Sequence, residues 1–517
     1  MKLTIGTRRS DLASIQGRLV GDALLNSYKT KKDADTSGLF QLEGSQSQLE
    51  INYLQKNAEG DIDQKTPLSQ LPDKGVFTRN LSSLLVSGEI DLAVHSWKDC
   101  PTVTLPSTQI VGTLIREDPR DMLLVRKDSW STIKKNKAIT VLSSSPRREY
   151  NITPFLKWSL PTAINTVSFL PVRGNIQTRL AKLFAGEGDA LIVAKAALSR
   201  ILRASSFPEA AIKIKEALER CYWSIIPLTC NPTAAGQGAL AIEINSERQD
   251  LKDLIKTLSD PQSLNCVTQE RAILQKYGGG CHQKIGVTVI NHRFGEITFL
   301  AGETDAGEKL NNITLKSVLP LPPKAAPNQI WPSEEPLNIL TPKLFSPAQP
   351  RTRNIAYLIS KDLALPQKWK ISFNTVVYCA GLETWKKLAQ RGVWVNGSME
   401  SLGESFDNGM FDFIASDTHW IKLGHDKAVI SEKMQLFPTY TLKFTRNPPR
   451  LLTKTHFYWR SASLFKAVLS TNPQILHAWH ACGLGNSYDK IAECLPDKKK
   501  LSVWLSYEDW KNYVTNV

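Results

Sequence analysis

The sequence predicts an α/β fold in which mostly parallel sheets carry helices on their faces. Short apolar strands alternate with amphipathic helices through the N-terminal part of the chain. No apolar run approaches the roughly 20 residues needed to cross a bilayer, and residues 375–380 are typical of the longest ones. Apolar residues make up 42% and charged residues 22% of the 517, as in an ordinary globular protein. That length implies roughly two to four domains.

The predicted elements follow one another regularly. Residues 2–7 are predicted to form a strand, and Ser10 is predicted to cap a helix whose apolar residues keep helical spacing as far as Leu24. The polar residues 31–48 are predicted to form an exposed loop. Further strands are predicted at 90–94, 138–142, 166–170 and 189–194, and further helices at 77–86 and 175–184.

Proline is concentrated between residues 319 and 352, which makes this stretch the best candidate for a linker. It separates an N-terminal part, which holds the candidate functional residues, from a C-terminal part at residues 353–517. No short-period repeat is evident in either part.

Charge and cysteine usage narrow the possible partners. The net charge of +15 could suggest nucleic acid, but basic residues are spread out and are not interleaved with aromatic ones. Arginines beside Gly, Ser and Thr suit small polycarboxylates equally well. The eight cysteines lie far apart without a CxxC pair, and the N-terminus has no signal-peptide core. We therefore expect a cytoplasmic protein with no membrane partner and no metal, while charge alone does not decide between nucleic acid and a small polycarboxylate. Our expectation for the whole chain is a monomer with no nucleic-acid partner.

Arginines occur in turn-like settings near predicted strand-to-helix junctions. Arg8 follows the first strand, Arg147 and Arg148 follow residues 138–142, and Arg173 and Arg179 flank a helix start. Free backbone N–H groups at a helix start favour anions, and guanidinium groups add forked contacts to carboxylates. Several such sites indicate a ligand with many carboxylates. For any one arginine alone, solvation or a local ion pair is an equally good interpretation.

Two further segments carry candidate chemistry. Asp99 follows Lys98 at the carboxyl end of a predicted buried strand, where side chains commonly face a ligand crevice. It could stay ionised there and stabilise a developing cation, although a surface turn would also explain it. Cys281 follows three glycines and precedes His282, which suits a reactive thiolate, or else a loop with a buried cysteine. No GK[ST] follows, so this is not a phosphate-binding loop.

Taken in order, these segments resemble those of hydroxymethylbilane synthases, also called porphobilinogen deaminases. The resemblance covers about 300 residues and is carried by the combination of motifs rather than by any single one. The motifs are Thr7-Arg8 with Ser10, Lys74-Gly75-Val76-Phe77, Asp91 to Asp99, Arg116 to Asp121, Ser143 to Arg148, Arg173-Gly174-Asn175, Thr178-Arg179-Leu180, Gly236 to Ala239, and Gly279-Gly280-Cys281.

The resemblance implies three α/β domains: two lobes like those of periplasmic binding proteins, hinged about a cleft, and a small cofactor-carrying domain. A further α/β region would follow them. The implied bounds are 1–112 with 222–245 for lobe one, 113–221 for lobe two, 246–318 for the cofactor-attachment domain, 319–352 for the linker, and 353–517 for the C-terminal region.

The resemblance also implies a transferase of tetrapyrrole (haem) biosynthesis that joins four porphobilinogen units with release of ammonia. Its cofactor would be dipyrromethane, held by a thioether to Cys281, and Asp99 would be the catalytic carboxylate. The other implied cofactor-binding residues are Ser96, Lys98, Ser144, Arg147 and Arg148. The implied substrate-binding residues are Arg8, Ser10, Lys74, Arg173 and Arg179, and Arg200 is a weaker candidate.

Several positions depart from the family pattern. Asp73 precedes Lys74, where the family usually has a glycine pair before the lysine of the KGxF element, and Pro146 replaces an aliphatic residue before the arginine pair. Ala58-Glu59-Gly60-Asp61 stands where a Thr-Arg-Gly-Asp segment is expected. These changes affect loop shape more than the acid, the thiol or the arginines.

The C-terminal region shows a limited resemblance to uroporphyrinogen-III synthase, through strand–glycine turn–helix segments around Cys379 and Cys482. A fusion with that enzyme would add a second activity, and a degenerate structural domain is the alternative. For the whole chain, the main alternative to the enzyme is a two-lobed small-molecule-binding protein without catalysis. A nucleic-acid binder is suggested by charge alone.

Overall fold

The computed structural model describes residues 1–516 except 36–48, 58–77, 103–104, 280–282, 334–338, 351, 353, 404–412, 431–432 and 446–448. The chain divides into two compact units. The first comprises Met1–Lys157, Ile164–Val289 and Phe299–Asn312, and the second comprises Trp158–Ala163, Ile290–Thr298 and Ile313–Val517. Within the described ranges, no helix is both long enough and apolar enough to span a membrane.

The strands of the described residues have these bounds: β1 Lys2–Arg8, β2 Glu50–Lys56, β3 Leu92–Ser96, β4 Thr108–Gly112, β5 Asp121–Arg126, β6 Ala138–Leu142, β7 Thr166–Leu170, β8 Ala190–Ala194, β9 Cys221–Ile225, β10 Leu240–Asn245, β11 Gly286–His292, β12 Gly295–Glu303, β13 Lys309–Ser317, β14 Ile330–Trp331, β15 Leu340–Leu344, β16 Ile355–Ile359, β17 Val376–Cys379, β18 Gly397–Ser398, β19 His419–His425, β20 Gln435–Phe444, β21 His456–Trp459, β22 Trp479–Cys482 and β23 Leu501–Val503.

The α-helices of the described residues have these bounds: α1 Asp11–Asp35, α2 Arg79–Ser87, α3 Trp130–Asn136, α4 Pro146–Ser159, α5 Ile176–Phe184, α6 Lys195–Arg203, α7 Pro208–Glu219, α8 Gln249–Leu258, α9 Pro261–Lys276, α10 Leu382–Gln390, α11 Ala462–Leu469, α12 Ser487–Ala492 and α13 Tyr507–Thr515.

The first unit contains two five-stranded mixed sheets, so the predicted α/β class is confirmed. The first sheet has the order β2-β1-β3-β10-β4, in which β1 is parallel to both of its neighbours and β10 is antiparallel to both of its own. The second has the order β7-β6-β8-β5-β9, with β6 parallel to its neighbours and β5 antiparallel to its own. A separate three-stranded sheet has the order β11-β12-β13.

Local sequence accounts for most elements of the first unit. The apolar faces of β1 and α1 join one core cluster that includes Leu3, Ile5, Val20 and Leu24. The predicted strands 138–142 and 166–170 are confirmed to the residue. The predicted loop at 31–48 is wrong for residues 31–35, because α1 continues to Asp35. Polarity alone therefore does not end a helix when no glycine or proline interrupts it.

Cap residues define the helix starts that border the site. The Ser10 hydroxyl accepts a hydrogen bond from the backbone N–H of Ala13 at 3.2 Å, which confirms its predicted capping role at α1. The side chain of Asn175 accepts from the backbone N–H of Thr178 at 2.9 Å at the start of α5. Both helices thus begin at a fixed point beside the chain segments that carry arginines.

The second unit contains two further sheets. One has the order β15-β20-β19-β16-β17-β18, and the other, β14-β21-β22-β23, is parallel throughout. Residues 319–352, predicted as a linker, contribute β14 and β15 to these sheets. The domain bounds inferred from the sequence stay a prediction.

Candidate active site

A cavity of about 470 Å³ lies in the first unit, where the carboxyl end of β3 meets the starts of α1, α5 and α6. Carboxyl ends of strands and amino ends of helices are the usual places for polar ligands in α/β folds. Eight of the predicted site residues line this cavity: Arg8, Ser10, Ser96, Lys98, Asp99, Arg148, Arg173 and Arg179. The fold thus gathers residues that are up to 171 positions apart in the sequence (179 − 8).

Asp99 ends a short 3-10 turn, Trp97–Asp99, that directly follows β3. The turn is anchored by buried Trp97, whose backbone N–H donates to the carbonyl of Ala239 at 3.0 Å. The Asp99 carboxylate is partly exposed to the cavity, and its Oδ2 lies 3.8 Å from Nη1 of Arg8. The carboxylate is therefore held in place by its backbone while one face stays open to a ligand.

Lys98 adjoins Asp99 and donates from Nζ to Oε1 of Gln237 at 3.2 Å. Burial lowers the pKa of Lys98 to about 8, with Asp99 opposing the shift and Arg148 adding to it. A carboxylate ligand placed beside Nζ would favour the charged ammonium. Lys98 is therefore suited to bind an anionic ligand in this cavity.

Arginines surround the rest of the cavity. The pKa of Arg179 is lowered to about 10, chiefly by burial and also by neighbouring Arg148, Arg8 and Arg173, while Asp99 opposes the shift. The Nε of Arg179 donates to the carbonyl of Gly174 at 2.8 Å, which fixes the side chain. Clustered cations repel one another, so a ligand with several negative charges would bind favourably to this wall.

The two serines on this wall take part in local hydrogen bonds. Ser10 caps α1, as described above, and the Ser96 hydroxyl lies 3.0 Å from Nε2 of Gln16. Gln16 is buried, lines the cavity and was not predicted from the sequence. A single glutamine on a helix face gives no signal that distinguishes it from an ordinary polar residue.

Arg147 and Ser144 do not line the cavity, in contrast to their predicted role beside the cofactor. Arg147 is buried and donates to Asp121 Oδ2, Asn231 Oδ1 and the carbonyl of Pro232, each at 2.8 Å. The Ser144 hydroxyl pairs with the backbone of Val172 at 2.8 Å. Both side chains therefore hydrogen-bond within the fold. On the helix α4, the neighbouring Arg147 and Arg148 point in different directions, and only Arg148 lines the cavity.

Asp121, the first residue of β5, is a fully buried acceptor that the sequence reasoning missed as a site residue. Burial acts to raise its pKa, but Arg148 and Arg147 outweigh that effect and hold the pKa well below its usual range. Arg148 Nη2 donates to Asp121 Oδ1 at 2.6 Å while Arg148 also lines the cavity. Asp121 therefore holds Arg148, a cavity residue, in position through a buried hydrogen bond.

His95 lines the cavity as well, and its Nε2 lies 2.8 Å from Oε2 of Glu243. The Glu243 carboxylate is buried and also accepts from the hydroxyl of Ser82 at 2.9 Å. Burial acts to raise the pKa of Glu243, but the hydrogen bond from His95 and the other contacts lower it overall. These hydrogen bonds link β3, β10 and α2 next to the cavity.

Lys74 and Cys281 lie outside the described residues, as do the other residues of the Gly280-Cys281-His282 segment. Their predicted roles in substrate binding and cofactor attachment stay predictions. Arg200, the weaker candidate, is buried, lines the cavity and donates from Nη2 to the carbonyl of Gly238 at 2.6 Å. Burial lowers the pKa of Arg200 to about 10.

Residues 3–253 match the family model described as "Porphobilinogen deaminase, dipyromethane cofactor binding domain". Among similar curated proteins, the porphobilinogen deaminase of Lawsonia intracellularis is 32% identical over 320 residues, covering 61% of this chain and 90% of the relative. That of Synechococcus elongatus is 35% identical over 291 residues, covering 55% of this chain and 77% of the relative.

Solved structures that align with about half of the chain include two proteins of low sequence identity. A putative periplasmic sulfonate-binding protein from Methylobacillus flagellatus aligns at 12% identity and a TM-score of 0.26, covering 53% of this chain and 68% of that one. A Legionella pneumophila arginine transport binding protein aligns at 13% identity and a TM-score of 0.24, covering 54% and 98%. From its sequence relatives, the chain belongs to the porphobilinogen deaminase family.

Proposed function

We propose that the cavity beside Asp99 is where this porphobilinogen deaminase acts as a hydroxymethylbilane synthase, a transferase of tetrapyrrole biosynthesis. The reaction joins four porphobilinogen molecules head to tail, releases ammonia at each addition and yields a linear product. One observation carries the proposal: of the described residues that line the cavity, seven are Arg or Lys and one, Asp99, is a carboxylate. A single acid within a basic wall is suited to cationic chemistry on an anionic substrate.

Asp99 is proposed as the catalytic residue. When ammonia leaves the aminomethyl carbon of porphobilinogen, positive charge develops on the pyrrole ring, and a carboxylate nearby lowers the energy of that state. Nη1 of Arg8 lies 3.8 Å from this carboxylate and places a cation beside it. After carbon–carbon bond formation the same carboxylate can accept the proton that the joined ring must lose.

The cavity arginines are proposed to bind the acetate and propionate groups that each pyrrole carries. Arg8, Arg173 and Arg179 would hold the substrate, together with Ser10. The side-chain Nε atoms of Arg148 and Arg200 are buried and have no hydrogen-bond partner among the described residues. Buried donors left in this state favour a ligand that supplies acceptors.

The same observations fit the dipyrromethane cofactor named in the family description. Lys98, Arg148 and Ser96 are proposed to bind its carboxylates and neighbouring polar atoms, and Cys281 is proposed as its attachment point. When bound, dipyrromethane supplies the pyrrole carbon to which the first substrate is joined. Arg147 supports this set indirectly, by sharing Asp121 with Arg148.

Intact mass measurement followed by peptide mapping tests the proposal. We expect the purified protein to carry added mass equal to one dipyrromethane, on the peptide that contains Cys281. A chain that stays unmodified, also after incubation with porphobilinogen, would overturn the proposal and favour a binding protein without catalysis.

We further propose that the enzyme works as a monomer in the cytoplasm, without nucleic-acid or membrane partners. Each of the seven described cysteines is a free thiol, which is in keeping with a reducing compartment. A small polycarboxylate ligand accounts for the positive charge of the cavity without a nucleic-acid partner.

A further inference from the structure

The Gly236-Gln237-Gly238 turn places a buried amide in the wall of the cavity. Gly236 and Gly238 have φ values of +79° and +88°, which side-chain-bearing residues rarely adopt. A Cβ at position 238 would lie 2.4 Å from the carbonyl oxygen of Glu117, and one at 236 would lie 3.2 Å from Cβ of Trp97. Gly236 therefore lets the turn approach the Trp97–Asp99 segment closely enough for Gln237 to reach Lys98, and Gly238 lets it approach Glu117.

The orientation of the Gln237 amide is determined by its partners. Its Nε2 donates to Oδ1 of Asp121 at 2.9 Å and to the carbonyl of Pro119 at 2.6 Å. Both partners are acceptors, so the NH₂ end must face them and Oε1 must face the other way. Oε1 then accepts from Nζ of Lys98 at 3.2 Å. Gln237 is 1% exposed, so water does not compete readily for these bonds.

We propose that Gln237 is a positioning residue whose amide links Lys98 to Asp121, so that Lys98 and Arg148 are both fixed by one buried carboxylate. Asp121 Oδ1 accepts from Gln237 on one side and from Arg148 Nη2 on the other. The two cavity cations proposed to hold the cofactor therefore share a single rigid support. This inference rests on the proposed function and adds Gln237 to it as a residue that acts through Lys98.

The link also affects the charge of Lys98. An acceptor at Nζ stabilises the ammonium form, and removal of that acceptor lowers the pKa of Lys98 further below its ordinary value. Besides Gln237, Lys98 faces Asp99 from its own turn, Arg148 from α4, Arg179 from α5 and Asp121 from β5. Of these groups, Asp121 alone accepts a hydrogen bond from Gln237. A change in the pKa of Lys98 after substitution at 237 therefore reports on the link between Lys98, Gln237 and Asp121.

The test measures the pKa of Lys98 directly in the holoenzyme. Trace acetylation with acetic anhydride across pH 6 to 11, about the range in which lysines titrate, is quantified by mass spectrometry of the Lys98 peptide. The variant Gln237→Met keeps the side-chain length and removes both hydrogen-bonding ends. We expect it to lower the pKa of Lys98 by about one unit relative to the unsubstituted holoenzyme. An unchanged or raised pKa would overturn the proposal.

Gln16→Met is the matched control, because Gln16 is also a buried cavity amide but bonds Ser96. It should leave the pKa of Lys98 unchanged, and an equal drop in both variants would contradict a specific link. Should Gln237→Met fail to fold, Gln237→Leu also lacks both hydrogen-bonding ends and must likewise lower the pKa of Lys98. No drop in that variant would also overturn the proposal. The same mass spectra show whether Cys281 carries the cofactor, so loss of the proposed function is distinguished from loss of the link.

Discussion

Nη1 of Arg8 lies 3.8 Å from Oδ2 of Asp99, so the acid of the cavity is held next to a cation contributed by a different strand. β1 delivers Arg8 and the turn after β3 delivers Asp99, and the two strands are parallel neighbours. Because both side chains are partly exposed, their pairing adds little to stability. The pair matters instead for the charges that face the bound substrate.

We expect Asp99→Ala to keep the fold and to lower kcat by about 10²- to 10³-fold, the loss typical of removing one transition-state stabiliser. Turnover is measured as porphyrin absorbance after oxidation of the product. Asp128→Ala is the control, since Asp128 is an exposed partner of Arg126 outside the cavity lining. Normal turnover by Asp99→Ala would remove this residue from the mechanism.

Cys281→Ser should yield a protein without a thioether-linked cofactor, because a serine hydroxyl is far less nucleophilic than a thiolate. Intact mass gives the answer without any activity assay. Cys494→Ser, at a described free thiol in the C-terminal region, should keep the full added mass. A Cys281→Ser protein that still carries the cofactor would show that another cysteine is the attachment point.

The pKa of Lys98 leads to an expected pH dependence. In the folded protein the pKa of Lys98 is lowered from 10.5 to about 8. The ammonium form of Lys98 is therefore present below that pH and is lost as the pH rises through it. We expect kcat/KM for porphobilinogen to fall on the alkaline side as Lys98 loses its proton, at or above this pH because the cofactor's carboxylates favour the ammonium. Lys98→Arg stays charged over the whole range, so its alkaline decline should move to higher pH. An identical decline in both proteins would assign the ionisation to another group.

Arg147 and Arg173 should differ in what their loss affects. Arg147→Leu removes one partner of a buried ion pair and should lower the free energy of unfolding by about 3 kcal/mol. Arg173→Leu alters the cavity wall and should raise KM with an unfolding free energy within about 0.5 kcal/mol of the starting protein. Urea denaturation and steady-state kinetics separate the two. A stable Arg147→Leu protein with a weakened cofactor site would restore the role predicted from the sequence.

The resemblance of residues 353–517 to uroporphyrinogen-III synthase stays a prediction. It predicts that the purified protein, given porphobilinogen alone, forms the type III isomer of uroporphyrinogen. Chromatography of the oxidised porphyrins distinguishes type III from type I, which arises when the linear product closes spontaneously. Type I alone would favour a structural role for this region.

Local patterns predicted the parts of the site that depend on neighbouring residues. Ser10 at a helix start, and Asp99 after an apolar strand, could be recognised from a few positions on either side. Arg147 and Arg148 could not be told apart, because both bond Asp121 and only Arg147 also bonds Asn231 and Pro232, which lie 84 and 85 positions later. Gln16 and Gln237 were missed for the same reason: an amide acquires its role from partners that the fold brings in from other elements.

Strands β14 and β15 determine where the chain can be divided for experiments on its C-terminal part. A fragment beginning at residue 353 would lack both strands, and β21 and β20 would each lose a neighbour. The long strand β20 would then present unpaired backbone groups to other molecules, a common cause of aggregation. A fragment beginning near residue 319 would retain both strands and is the better choice for an isolated activity assay.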